Sequence, residues 1–377
     1  MRLLHTSDWH LGRSFHRVDM LDAQAAFVDH VVETVRAERV DAVLVSGDVY
    51  DRALPPVDAV RLCGEALRRL AELAAVVLIA GNHDSAQRLG FGAALMDAAG
   101  VHVRTDPTAV GRPVLLGKNM AVYGIPYLEP ELVRHPWELT ERGHTAALTE
   151  AMRRVRADAA DRPGVRTVVL AHAFVTGGEA SDSERDISVG GVSHVPVSVF
   201  EGIDYVALGH LHGRQRMTER VRYSGSPLAY SFSEEGHHKG SWLADLRDDG
   251  IKEIDFVEAP VPRRLARLRG RLDDLLTSGA YEAHQDCWLQ VTLTDPARPA
   301  AAMERLRRRF PHALALDFAP DGSEATRPTW AERVAERSDL DVAFDFVGEV
   351  SGAPAGVAER ALLHEAFERC RQAEARN

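Results

Sequence analysis

Aspartate, asparagine and histidine recur in short strings along this chain: Asp8-Trp9-His10, Gly47-Asp48, Gly81-Asn82-His83-Asp84, Ala171-His172 and Gly209-His210-Leu211-His212. Together they offer carboxylate and amide oxygens mixed with imidazole nitrogens, a donor set compatible with manganese, iron or zinc. Two divalent cations about 3.5–4 Å apart need an anionic group between them, or their repulsion drives them apart. Asp48, directly after a strand and a glycine, is the natural bridge. In Asp8-X-His10 and His210-X-His212, alternate residues of an extended backbone share one side, so both members of each pair can face the same ions. Gly47, Gly81 and Gly209 let the loops turn sharply and approach closely.

Residues so far apart in sequence meet only if strands deliver them. Apolar β-branched runs predict strands at 3–6, 41–46, 76–80, 120–125, 166–171 and 205–208, with helices at 20–38 and 57–73. Each string follows one of these strands. In an α/β layered core the loops at the carboxyl ends of strands converge on one crevice. From 221 onward short strands (221–224, 240–246, 251–257) close the sheets without long helices between them. A break at Pro260-Val261-Pro262 then leads into a smaller βαβαβ unit: strands 265–269, 288–294 and 313–318, helices 271–276 and 300–310. The segment 321–328 reads as a loop or linker. A tail helix over 355–373 carries Val357, Ala361, Leu362, Leu363, Ala366, Phe367 and Cys370 on one stripe. The chain therefore reads as a core over 1–258, a small α+β unit over 259–325 and a C-terminal segment over 326–377.

Composition sets limits. Of 377 residues, 45% are hydrophobic and 27% charged, as in an average globular protein, which excludes a disordered, collagen-like or coiled-coil chain. No apolar run approaches the ~18 residues of a membrane span, and the first residues lack the apolar stretch of a secretory signal. The 3 cysteines, Cys63, Cys287 and Cys370, are scattered, which fits neither a disulfide framework nor a Cys-rich zinc module, so a reducing cytoplasm is expected. A net charge of −11 argues against coating nucleic acid by bulk electrostatics, but not against handling it in a basic groove or through bound cations. The basic residues are almost all arginine, lysine standing only at Lys118, Lys239 and Lys252. His5, His30, His102, His135 and His144 read as surface or satisfied structural histidines. His237-His238, in a Ser-Glu-Glu-Gly-His-His turn, could bind an adventitious metal.

The ordered set of strings resembles the calcineurin-like metallophosphoesterases. Longer strings at 6–15, 46–51, 80–85, 184–190, 205–210 and 223–228 narrow the resemblance to the SbcD-type nucleases of bacterial SbcCD complexes, densely over 1–235 and only in layout after 260. This resemblance implies an α/β, four-layer fold, two central mixed β-sheets flanked by helices, followed by a small α+β capping domain and a C-terminal helical segment. One metal ion would be held by Asp8, His10, Asp48 and His212, the other by Asp48, Asn82, His172 and His210, manganese being the favoured ion. His83 would face the phosphate and deliver a proton to the leaving oxygen, with Asp84 fixing its orientation, and His16 would lie near bound nucleic acid. Asp51 stands where many archaeal and eukaryotic relatives carry a histidine; bacterial members also have aspartate there.

The implied activity is 3′→5′ double-strand exonuclease plus single-strand or hairpin endonuclease, in DNA end processing, recombination and repair. The implied partners are DNA, an SbcC-type coiled-coil ATPase docked on the tail helix, and a second copy of the chain within a heterotetramer in the cytoplasm. Two other readings remain open on the residues. One is a metallophosphoesterase acting on another phosphodiester, such as a cyclic nucleotide, or on a phosphoprotein. Against the phosphoprotein version stand Asp84, where those phosphatases usually have glutamate, and the string Gly47-Asp48-Val49-Tyr50-Asp51-Arg52-Ala53. The other is an architectural subunit whose metal site serves folding, against which the complete donor set and the intact His83 argue.

Overall fold

In the computed structural model, the described residues are 1–185, 194–321, 339–351 and 355–374. Two six-stranded mixed sheets form the centre. In the first, Arg2–Thr6, Ala42–Val45, Ala75–Ile79 and Val101–Arg104 run parallel, and Gly240–Arg247 and Gly250–Glu258 extend it antiparallel beyond the first strand. In the second, Val221–Tyr223, Tyr205–Gly209, Arg166–His172 and Met120–Ile125 run parallel, flanked by the antiparallel edge strands Gln215–Arg216 and Val114–Leu116.

The two-residue period of each strand sorts its side chains into layers. Leu3, Ala42, Leu44, Val77 and Ile79 meet Val122, Val168, Leu170, Tyr205 and Ala207 in the core between the sheets. Their alternates in the first sheet, Leu4, Val43, Val45, Val76 and Leu78, pack under the helices Leu21–Glu38 and Val57–Ala71 through Phe27, Val31, Cys63 and Leu70. On the far side, Tyr123, Val169, Val206 and Leu208 pack under the helix His144–Ala160 through Leu148, Met152 and Val155. The result is the expected α/β four-layer arrangement, helices, sheet, sheet, helices. Strands buried on both faces explain why the sequence shows continuous apolar runs there rather than alternation.

Polar groups also tie the sheets together. His5 is fully buried, its Nδ1 3.0 Å from the Tyr205 hydroxyl and its Nε2 3.0 Å from the Leu208 carbonyl oxygen. The Ser46 hydroxyl donates to the Ala207 carbonyl oxygen at 2.9 Å.

Strands Leu265–Gly270, Trp288–Leu293 and Ala313–Phe318 form a three-stranded sheet with helices Leu272–Thr277 and Ala302–Arg309, as expected of the smaller unit. Leu265, Trp288, Leu314 and Ala315 of this sheet pack on Phe15, Leu228, Tyr230 and Phe232. It therefore belongs to one compact unit with the core, Met1–Leu293 plus Pro299–Asp317. The boundary drawn at 258/259 is not a seam between compact units. A second unit comprises Thr294–Arg298 and Phe318–Asn377, in which helices Asp339–Ser351 and Val357–Glu374 pair, Arg360 lying over the Phe344 ring at 5.0 Å. Of the expected tail stripe, Leu363 and Phe367 are half-buried, whereas Val357, Ala361, Leu362 and Ala366 are exposed. Among the residues whose burial is described, the stripe is narrower than its sequence suggested, and the residues that meet Phe344 of the neighbouring helix are Arg360 and His364. The side chain of Cys370 and the linker at 322–328 lie outside the described residues. No helix among the described residues is long and apolar enough to cross a membrane.

Candidate metal centre

The carboxyl ends of the parallel strands of both sheets deliver the motif residues to one place. Asp8 and His10 follow Arg2–Thr6, Asp48 follows Ala42–Val45, and Asn82 and His83 follow Ala75–Ile79, all from the first sheet. The second sheet sends His172 from the end of Arg166–His172, and His210 and His212 from just beyond Tyr205–Gly209. Asp8, His10, Asp48, His172, His210 and His212 are all buried.

Donor atoms from these residues gather in two groups. In one, His10 Nε2 and His212 Nε2 lie 3.0 Å apart, with an Asp8 carboxylate oxygen within 4.8 Å of both. In the other, the Asn82 side-chain oxygen is 2.9 Å from His172 Nε2 and 3.1 Å from His210 Nδ1. Asp48 joins them: its Oδ2 is 3.7 Å from His10 Nε2 and 3.5 Å from His172 Nε2, while its Oδ1 accepts the His83 backbone N–H at 2.9 Å. One carboxylate oxygen thus faces both halves.

The electrostatics of the protein groups alone are unfavourable. Burial, and then the neighbouring Asp48, drives Asp8 well above the usual carboxylate range. Burial, and then the facing imidazoles, hold His10 and His210 well below the usual imidazole range, and burial also lowers His172. His10 Nδ1 and the Asn82 side-chain nitrogen are buried without a hydrogen-bond partner. Neutral imidazoles turned toward each other are the protonation state that divalent cations require, and cations there would reverse the penalty on an ionised Asp8. The residues fit a pair of cations sharing Asp48.

The backbone is forced into this shape. Asp8, His10, Asp48 and His210 all have positive φ (53°, 45°, 48° and 105°), a conformation that costs of order 1–3 kcal/mol for a non-glycine residue and clusters at functional sites. Gly209 is required because a Cβ there would sit 2.0 Å from the Ser46 carbonyl oxygen. At Gly81 it would sit 2.1 Å from Asp48 Oδ1. The Trp9-His10 turn is pinned from outside by the Tyr230 hydroxyl, donating to the Trp9 carbonyl oxygen at 2.7 Å, and by the Gln24 amide, donating to that of His10 at 2.8 Å.

His83 lies edge-on to His10, ring centroids 4.7 Å apart. Its Nδ1 pairs with the Asp51 carbonyl oxygen at 2.8 Å, which leaves Nε2 as the other ring nitrogen. The expected role of Asp84 in orienting His83 needs correction. The Asp84 carboxylate instead accepts backbone N–H groups of Val49 (3.1 Å), Tyr50 (2.9 Å) and Gly81 (2.9 Å), tying the Asp48 loop to the Asn82 loop. Burial, with Asp48 nearby, pushes its pKa up to about 7. His16, expected near nucleic acid, is exposed at the turn of the hairpin Ser14–Phe15/Val18–Asp19, its ring 4.9 Å from Phe15 and 5.0 Å from Phe232, and is not among the converging donors.

Several of the other histidines are engaged elsewhere or exposed. His5 is the buried tie between the sheets, His102 pairs with Asp97 at 2.7 Å, and His135 is exposed. His238 is exposed and pairs with Glu258 at 3.1 Å. Residues outside the donor motifs stand behind the donors. His172 Nδ1 donates to the Ser46 carbonyl oxygen at 2.9 Å, and Ser183, Glu184, Glu234 and Lys239 surround His212. Of the string 184–190, residues 186–190 lie outside the described residues.

Comparison with known proteins bears on this geometry. The family model described as calcineurin-like phosphoesterase matches residues 1–214. A second family model, SbcD_C, described as type 5 capsule protein repressor C-terminal domain, matches residues 261–350. Among solved structures, TT1561 of Thermus thermophilus matches at 13% sequence identity with a TM-score of 0.42, covering 68% of this chain and 98% of that one.

Proposed function

The chain belongs to the calcineurin-like phosphoesterase family, and on that premise we propose that it is a metal-dependent DNA nuclease, a 3′→5′ double-strand exonuclease and single-strand or hairpin endonuclease of the SbcD type. Its coarser character, a metal-dependent phosphoesterase, follows from the family and from buried clusters able to hold metal ions. The observation that carries the proposal is Asp48 Oδ2 facing both donor groups with His83 beside them. The narrower step to DNA and to an SbcC-type ATPase partner is supported by the match over residues 261–350.

Asp8, His10, Asp48 and His212 would hold one cation, and Asp48, Asn82, His172 and His210 the other, with manganese the favoured ion. When bound, the pair would supply positive charge against phosphate oxygens and acidify a water molecule. The chain's own residues do the rest. His83, fixed through Nδ1 by the Asp51 carbonyl oxygen, presents Nε2 to give a proton to the leaving oxygen of the phosphodiester. Asp84 holds the Asp48 and Asn82 loops at the spacing the donors need. His16 would touch the nucleic acid near the three-stranded sheet. Two copies with two ATPase subunits, docked on the Val357–Glu374 helix, would form the working assembly in the cytoplasm.

The test uses purified full-length protein with Mn²⁺ on linear double-stranded DNA, on a hairpin, and on a generic aryl phosphodiester and a cyclic nucleotide. Degradation of DNA, abolished in H83A with metal content unchanged, supports the reading. Turnover of the small diesters with DNA left intact overturns it in favour of another phosphodiesterase. Loss of metal in H83A would overturn the division of roles.

A further inference from the structure

The two halves of the centre use similar donors but are backed differently. His172 donates Nδ1–H to a neutral acceptor, the Ser46 carbonyl oxygen. His212 instead stands at the end of a buried chain that terminates in a charge pair. Its Nδ1 is 2.5 Å from the Ser183 hydroxyl oxygen, and that hydroxyl donates to Glu234 Oε1 at 2.5 Å. Since the hydroxyl hydrogen goes to the carboxylate, the imidazole must donate Nδ1–H to Ser183, which fixes Nε2 as the basic nitrogen facing His10. Glu234 is 1% exposed and pairs with the buried Lys239. Lys239 also donates to the His212 carbonyl oxygen at 2.8 Å and to the Ser226 hydroxyl at 2.9 Å, holding the residue at both ends.

We propose that the Ser183–Glu234–Lys239 chain makes the His10/His212 half the tighter of two unequal cation sites, with Glu234 acting on His212 as a positioning residue through Ser183. The proposal rests on the two-cation reading of the centre given above, but not on DNA as the substrate. A carboxylate behind an imidazole N–H fixes the ring's tautomer and raises its basicity as a ligand, and loss of such a partner typically weakens metal binding about 10–100-fold. Lys239 makes the arrangement tolerable, because a buried carboxylate left unpaired is strongly destabilising. The sequence draws the eye to His237-His238; the structure gives the role to the charged residues around that pair, Glu234 and Lys239.

The experiment follows Mn²⁺ binding to metal-stripped full-length protein through the electron paramagnetic resonance signal of free Mn²⁺, so it needs no turnover. Wild-type protein should bind two ions in two separated steps. Ser183→Ala leaves the ion pair intact and should weaken the tighter step about 10–100-fold while leaving the weaker one unchanged; Ser183→Thr, which keeps a hydroxyl, should restore it. The double variant Glu234→Gln/Lys239→Gln, which removes both buried charges together, should repeat the S183A result and decides the matter if S183A does not fold. Equal shifts of both steps, no shift of either, or two equal steps in the wild type would overturn the proposal. Protein that shows the two unequal steps and the S183A effect yet leaves DNA intact upholds it and overturns the nuclease reading instead.

Discussion

His83 and Asp84 are adjacent in one turn, and the structure gives them tasks that their adjacency hides. The family resemblance implies that the carboxylate serves the imidazole; in space it serves three backbone N–H groups from two loops. Asp84→Asn keeps the shape but turns an amide N–H₂ toward donors that need an acceptor. It should lower stability by about 1–3 kcal/mol and weaken metal binding, whereas H83A should leave stability unchanged, as thermal unfolding of the two variants would show. His5 gives a prediction in pH. Burial lowers its pKa to about 3, from an ordinary value of 6.5. The unfolded chain therefore binds a proton that the folded one refuses between those limits. The stability tied to neutral His5 is fully present above pH 6.5 and is lost progressively as pH falls toward 3, reaching about 5 kcal/mol. His5→Gln loses the contacts to Tyr205 and Leu208 and should be the weaker protein at pH 7. It lacks this proton, so chemical denaturation at a series of pH values should find the gap closing by pH 4. Taking the difference between the two proteins removes the opposite trend of Asp84. A constant gap would mean that His5 is charged inside the fold. Of these roles, the motif histidines were legible from residue type and strand-end position, but the partners of His212 were not. Ser183, Glu234 and Lys239 are brought to it by loops with no spacing in common.

At the scale of elements, the legible parts were those whose pattern has one physical reading. The central parallel strands of both sheets are apolar on both faces and stop at glycine or polar residues, so their ends, and therefore the donors, could be placed from sequence. The edge strands Val101–Arg104 and Val114–Leu116 are short and half-buried and gave no comparable signal. The helix Asp339–Ser351 was hidden for a different reason. Leu340, Val342, Phe344 and Phe346 alternate with Asp341, Ala343 and Asp345, a two-residue period that argues against the helix that forms. Glycine at strand ends gives the prediction at this scale. Gly209 ends the strand Tyr205–Gly209, and a Cβ there would meet a backbone oxygen of the other sheet, which cannot rotate away as a side chain could. Gly209→Ala should therefore separate Ser46 from the second sheet and displace His210. The expected loss is roughly 2–4 kcal/mol of stability together with weaker metal binding. Gly236→Ala, at a position with open space around it, should cost far less. Matching losses in the two variants would show that the close approach at Gly209 is not what fixes the strand end.

At the scale of the molecule, the centre lies across the seam between the sheets. Asp8, His10, Asp48 and Asn82 come from the first sheet, and His172, His210 and His212 from the second, so ions held there would be ties between two layers otherwise joined by apolar packing and a few polar links such as Ser46–Ala207. The donors lie far apart in sequence and cannot form either cluster in the unfolded chain, so binding is linked to folding of the core. For each cation, stability should rise by RT ln(1 + [L]/Kd), about 2.7 kcal/mol at a hundredfold excess over Kd and about 4.1 at a thousandfold. Thermal unfolding of the full chain in Mn²⁺, compared with the same protein stripped by a chelator, should show a melting temperature that climbs with the logarithm of ion concentration. Asp48→Asn removes the one oxygen that faces both halves. It should flatten that climb more than Asn82→Ala, which removes a donor from one half only. A melting temperature indifferent to Mn²⁺ in the wild type would mean that the clustered imidazoles and carboxylates are held by the fold alone, and the assignment of a shared-carboxylate centre would fall with it.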